Sequence, residues 1–157
     1  MDQFADFIHR HENRVYRTAF AIIGNKTDAE DIMQEVFFKV ISSTPVFESE
    51  KHEIAWLTRV TVNQCRSLLR SSWWRKTEPL LDTYPAQNDT QHELIETIQK
   101  LPQKHRIAIY LFYYEGYSVK EIAEITGQKE STLKSHLKRA REKLKDYMKD
   151  EINQEGR

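Results

Sequence analysis

The chain has a single cysteine, Cys65, in 157 residues, which excludes an internal disulfide and any multi-thiolate metal site. Four glycines and four prolines leave little turn chemistry for a sheet, and no stretch alternates apolar and polar residues over the length of a strand. Long apolar runs are missing too. A run such as 19–23 is far too short to cross a bilayer, and the opening MDQFADFIHR has no signal-peptide h-region. With a mean hydropathy of −0.72, the expectation is a soluble, cytoplasmic protein. The six histidines are scattered. The closest pair, His9 and His11, is two residues apart and points to different helix faces, so surface histidines are expected. No glycine-rich phosphate loop is present, and no metal or cofactor is expected.

The formal net charge is zero, but the charge is unevenly placed. The stretch SVKEIAEITGQKESTLKSHLKRAREKLK at 118–145 reads as two helices joined by a tight turn. Ser118 and Glu121 form an S-x-x-E capping box. Gly127 stands where a left-handed C-cap ends the first helix. Leu133, Leu137, Ala140 and Leu144 then recur at helical spacing as one buried stripe. The other faces carry Lys129, Lys134, Lys138, Arg139, Arg141, Lys143 and Lys145 against only Glu130 and Glu142. This is the pattern of a helix-turn-helix, whose second helix lies in the major groove with its N-terminus toward base edges. Ser131, Thr132, Lys134, Ser135 and His136 are suited to bases; Lys138, Arg139 and Arg141 are suited to phosphates.

The rest of the chain is read as helical. Residues 3–23 show mostly helical spacing of apolar positions, ended by Gly24-Asn25. A second helix is expected to open at Thr27, with Glu30 completing a capping box. It has a core face of Ala29, Ile32, Met33, Val36, Phe37 and Val40, and an opposite face of Asp28, Asp31, Gln34, Glu35 and Phe38. An aromatic among carboxylates on an outer face points to a protein contact. Residues 44–53, TPVFESEKHE, read as a loop, and helical spacing resumes at Ile54. Over 54–77 there are five basic residues, Arg59, Arg66, Arg70, Arg75 and Lys76, and none acidic. This stretch closes on Trp73 and Trp74. Cations interleaved with aromatics suit single-stranded bases, since rings stack and cations follow phosphates.

Residues 77–89, TEPLLDTYPAQND, lack periodicity and hold two of the prolines, the composition of a flexible linker. Thr90 and Glu93 make a further capping box, and Pro102 is placed as the first residue of the following helix. The fold class expected is all-α. Two small helical domains, 1–76 and 90–157, flank the linker, and the second is a four-helix, winged-helix-like helix-turn-helix domain.

Several of these stretches together resemble bacterial RNA polymerase sigma factors of the extracytoplasmic-function type, within the sigma-70 family. LPQKHRIAIYLFYYEGYSVKEIAEITGQKESTLKSHLKRAREKL resembles the family's fourth conserved region. DAEDIMQEVFFKV resembles the segment that binds core polymerase, and IAWLTRVTVNQCRSLLR the segment that melts and reads the −10 element, down to Trp56, Leu57 and Asn63. The resemblance covers about residues 4–148. It implies that Asp31, Gln34, Glu35 and Phe38 dock on the polymerase β′ clamp helices, with the β flap as a further contact. It implies that Asn63, Arg66 and Arg70 meet −10 DNA, and the basic and aromatic run adds Trp73, Trp74, Arg75 and Lys76 to that set, although many relatives have basic residues where Trp73 and Trp74 stand. The loop at 44–53, with Phe47, Lys51 and His52, matches the family's loop for a flipped-out base, a step that costs a few kcal/mol of stacking. Residues 131–141 match the −35 reading helix. Promoter DNA and an anti-sigma protein, in this family often membrane-anchored, are the implied further partners, with no small-molecule substrate and no catalysis. The chain departs from the family at the capture loop, FESEKHEIAWL, where an Arg-Gly pair and a phenylalanine are common. It also has Ser131 and His136 where glycine and arginine are common. A free-standing helix-turn-helix regulator would need a dimerisation seam, and no heptad pattern is present. An enzyme would need a catalytic cluster. Asp28, Asp31 and Glu35 share a face with no histidine or cysteine beside them.

Overall fold

A computed structural model describes the backbone of residues 2–71 and 89–155, and the side chains of 3–71 and 93–146. The described residues form helices and contain no strand. The chain divides into two compact units, Met1–Pro85 and Ala86–Arg157. Among the described residues no helix is long and apolar enough to cross a membrane.

The first unit packs three helices on one another: α1 (Asp2–Ile23), α2 (Lys26–Ser43) and α3 (Glu50–Arg70). The last turns of α1 are buried on every side, from Thr18 through Ile23. They meet Ala29, Ile32, Val36, Phe37 and Val40 of α2 and Leu57, Val62 and Cys65 of α3. Gly24 stops α1 at φ 77°, a left-handed conformation glycine adopts without steric cost, and its N–H donates to the Phe20 carbonyl at 2.7 Å. The helix that follows starts earlier than the Thr27 box predicts. Asn25 is the N-cap, and its side chain accepts from the Asp28 N–H at 3.0 Å. Asparagine caps at least as well as threonine, and it stands at the point where the left-handed glycine turns the chain.

The predicted loop at 44–53 is also shorter in the structure. Ser49 caps α3 by accepting from the His52 N–H at 3.1 Å. Glu50–Glu53 are therefore the first turn of α3, where Glu50 and Glu53 complement the positive end of the helix dipole. Lys51 and His52 sit on a helix, not in a loop.

The second unit has four helical segments: α4 (Asp89–Gln99), α5 (Gln103–Ile109) continued by a π-helical turn (Tyr110–Tyr114), α6 (Val119–Thr126) and α7 (Glu130–Glu155). Its core gathers Ile95, Ile98, Leu101, Tyr110, Leu111, Ile122, Leu133, Leu137 and Ala140. Leu144 ends the predicted α7 stripe half-buried. Pro102 is the N-cap of α5 rather than its first residue. In the π turn, the Glu115 N–H reaches back to the Tyr110 carbonyl at 3.1 Å, and the Tyr110 hydroxyl donates to Glu115 Oε1 at 2.8 Å. Arg106, 7% exposed, donates to the carbonyls of Leu101 (2.9 Å) and Gln99 (2.8 Å), groups the end of α4 leaves open. Burial pulls its pKa down to about 10.

The histidines depart from the expected surface positions. His11 and His105 are each 3% exposed. Both fall on the apolar stripe of their helix, where position outweighs residue type. The Thr90 box, most of the 77–89 linker and Trp73, Trp74, Arg75 and Lys76 lie outside the described residues or side chains.

Candidate functional site

The first surface is the outer face of α2. Asp31, Gln34, Glu35 and Phe38 are all exposed, Phe38 to 65%. Ile32, Val36 and Phe37, turned the other way into the core, fix this orientation. Ile41, 47% exposed, extends the ridge by one turn. The Phe38-to-Ile41 interval of three residues was the sequence signal for it. Bare aromatic and aliphatic groups next to carboxylates form an apolar anchor with a charged rim.

The second surface belongs to α3. Arg59, Asn63, Arg66 and Arg70 follow one another at four, three and four residues, and so share a stripe. Arg59, Asn63 and Arg70 are exposed and Arg66 is half-buried. Burial, and then the charge of Arg70, lower the Arg66 pKa. Arg59 belongs with the three predicted residues, a position that the family motif does not mark and helical spacing does.

At the N-terminal end of that helix, Lys51 and His52 are exposed. His52 Nδ1 accepts from the Glu48 N–H at 3.1 Å, which leaves Nε2 as the ring's N–H in the neutral form. Phe47 is half-buried, not presented to solvent. Its ring stacks on Phe7 (centroids 5.8 Å, planes 5° apart) and meets His52 at 5.4 Å and Trp56 at 5.6 Å edge-on. Glu53, in the first turn of α3, turns inward. Its Oε2 lies 3.0 Å from His11 Nε2 and 3.2 Å from Arg10 Nη1. The segment before α3 is thus tied to α1 by an aromatic stack, and the first turn of α3 by a carboxylate.

The third surface is the start of α7. Ser131, Lys134, Ser135, Lys138 and Arg139 are exposed, and Thr132 and His136 half-buried. The Ser118–Glu121 box is formed, with each side chain bonded to the other's backbone N–H. Gly127 caps α6 at φ 72°. These two local features set the turn that leads into α7. Two predicted DNA contacts are placed otherwise. His136 lies against the buried His105. Arg141 lies against Phe112 and Tyr113 of the π turn. A cavity of about 380 Å³ beside Arg141 is lined by Leu94, Ile98, Ile109, Tyr113 and Leu144 among others.

A carboxylate-and-aromatic ridge suits a protein partner. An Arg/Asn stripe and a helix N-terminus bearing serines and lysines suit nucleic acid. Comparison with known proteins divides the chain into the same two units. Models of Sigma-70 region 2 and Sigma-70 region 4 match residues 7–75 and 91–144. The chain is 30% identical over 161 residues to the ECF RNA polymerase sigma factor SigE of Mycolicibacterium smegmatis, covering 94% of this chain and 62% of that protein's length. It is 30% identical over 146 residues to the ECF RNA polymerase sigma factor SigM of Mycobacterium tuberculosis, covering 90% of this chain and 74% of that one. Among solved structures, the sigma factor RpoE from Bartonella quintana, crystallised with the anti-sigma factor NepR, has the same fold. Its TM-score is 0.74 at 23% identity, over 95% of this chain and 98% of that one. Both regions are matched in order, and a relative at 30% identity is covered over most of its length. The chain therefore belongs to the extracytoplasmic-function sigma factors of the sigma-70 family.

Proposed function

We propose that the chain is a dissociable transcription initiation factor acting in the cytoplasm, where it binds core RNA polymerase and directs it to particular promoters. Residues 1–76 serve as region 2, 77–89 as the linker and 90–157 as region 4. The observation that carries this reading is the separation of two chemistries on one three-helix unit. Asp31, Gln34, Glu35, Phe38 and Ile41 face outward on α2, and Arg59, Asn63, Arg66 and Arg70 line α3.

On this reading the α2 ridge docks on the β′ clamp helices, and the α3 stripe with Lys51 and His52 holds the melted −10 strand. Phe47 positions the segment before α3 rather than stacking on a base. Trp73, Trp74, Arg75 and Lys76 continue the strand path. The exposed N-terminal face of α7 reads the −35 duplex, and the cavity beside Arg141 is the seat assigned to the β flap. Zero net charge weakens nonspecific DNA binding by the free chain, because that affinity follows phosphate neutralisation. Polymerase then supplies specificity as a scaffold that engages both units at once. RpoE was solved with NepR, and CnrH, a neighbour with a TM-score of 0.63, with the cytosolic domain of CnrY. These precedents support an anti-sigma partner. No reaction is assigned to the chain itself.

Run-off transcription from genomic fragments of the source organism, with core polymerase alone and with the protein added, tests the reading. New discrete transcripts are expected only in its presence. Absence of both new transcripts and polymerase binding would overturn it.

A further inference from the structure

His105 is buried on α5 against α7. Neither of its ring nitrogens has a hydrogen-bond partner, and nor does Nδ1 of His136. The two rings stand 5.4 Å apart, centroid to centroid, at 51°. Buried polar atoms are nearly always paired, so three orphans at one helix interface are a costly arrangement. The charged groups that act on the pair are Lys104 from α5 and Arg139 and Lys143 from α7, all cations; α4 and α6 contribute none among the described residues.

We propose that His105 and His136 form a proton-controlled seat for α7. While neutral, the two imidazoles pack as flat apolar surfaces, and α7 lies firmly on α5. A proton on His105 places a buried cation beside three others, one on half-buried His136 places a cation beside two, and α7 loosens. The seat stands on geometry alone. Its consequence for promoter reading rests on the assignment of α7 to −35 DNA made above.

Burial first, and then the neighbouring cations, hold both imidazoles below the ordinary histidine value of 6.5. The stabilising state is therefore fully populated above pH 6.5 and is lost as the pH falls through the folded-state values. In that window the opening constant of the unit rises about tenfold per pH unit for each ring that takes up a proton on opening.

The test is imidazole NMR titration together with amide hydrogen exchange on the full chain, from pH 7.5 to 5.0. His105 and His136 are expected to titrate below the ordinary histidine value of 6.5. Opening of α5 and α7, corrected for intrinsic exchange, is expected to rise tenfold or more per pH unit. His105→Phe replaces the orphan nitrogens with a ring of similar shape. It should be at least as stable at pH 7 and should lose the His105 share of the slope. His136→Gln, at the half-buried position, removes the second proton and carries the test if the larger ring disturbs folding. Ordinary titration near 6.5 with proton-independent exchange, or a slope that survives both substitutions, would overturn the seat.

Transcription on paired promoters with and without a −35 element, at pH 7.5 and 6.0, reads the consequence. The −35 advantage should shrink at pH 6.0 in the unaltered chain and persist in His105→Phe. Equal transcription from both promoters at each pH would remove the DNA assignment of α7, and the exchange result would still decide the seat.

Discussion

Arg141 donates from Nε to the Tyr113 hydroxyl at 2.6 Å, and its guanidinium carbon lies 5.6 Å from the centroids of both the Phe112 and Tyr113 rings. Helix position alone assigns this cation to a phosphate; in the structure it is exposed and leans on aromatic rings of its own domain. Arg141→Ala is therefore expected to destabilise the second unit by about 1 kcal/mol and to leave −35 discrimination in place. Arg139→Ala, on the exposed face, should do the reverse. Melting should stay unchanged, with weaker −35-dependent transcription and a salt slope smaller by about one. Thermal melting and promoter-paired transcription separate the two.

On α2, Asp31→Ala combined with Glu35→Ala removes charges from exposed positions and should change stability by no more than about 0.5 kcal/mol. Phe38→Ala should weaken polymerase binding about thirtyfold, the effect of truncating a central aromatic anchor. A pull-down of core polymerase at fixed salt measures both. Unchanged capture by all three substitutions would refute the docking face.

Glu53 accepts at the buried His11 ring. Glu53→Ala leaves that nitrogen unpaired and is expected to cost about 1–3 kcal/mol. Glu53→Gln, which keeps an oxygen in place, should cost less. Urea midpoints of the two variants give the comparison, and equal midpoints would show that the His11 bond contributes nothing.

Cys65 is fully buried on α3, and burial pushes its thiol pKa up. The reactive thiolate is therefore scarce at neutral pH. Ellman's reagent should leave the native chain unlabelled and modify it fully in guanidinium. Because Cys65 is the only cysteine, its labelling rate in intermediate denaturant reports opening of the first unit alone. Rapid labelling of the native chain would contradict the packing of α3.

What the sequence revealed was local. The Ser118–Glu121 box and Gly127 set the turn before α7 from a dozen residues, and the outward face of α2 follows from its apolar stripe. The start of α3 was not legible. Its cap, Ser49, stands in a run of charged residues with no apolar period and no glutamate at the third helical position. Composition also misplaced His105, because histidines were assigned to the surface although His105 falls on the helical stripe, and it gave no sign that Arg106 is buried. Their burial depends on tertiary contacts, including open carbonyls at the end of α4 that no neighbouring sequence announces. The diversion of Arg141 had the same origin: its partners stand 28 residues earlier in the chain.

The π turn at Tyr110–Tyr114 holds one residue more than an α-helix of the same length requires. This makes it a natural place for a neutral change in chain length. Removing one residue there can restore an unbroken α-helical ladder, whereas a deletion elsewhere in α5 rotates every following side chain by about 100°. The same deletion would swing Tyr113 away from Arg141. Kin that lack the extra residue would then have a cation on α7 free of the aromatic pair, so one codon decides whether Arg141 serves the domain or its ligand.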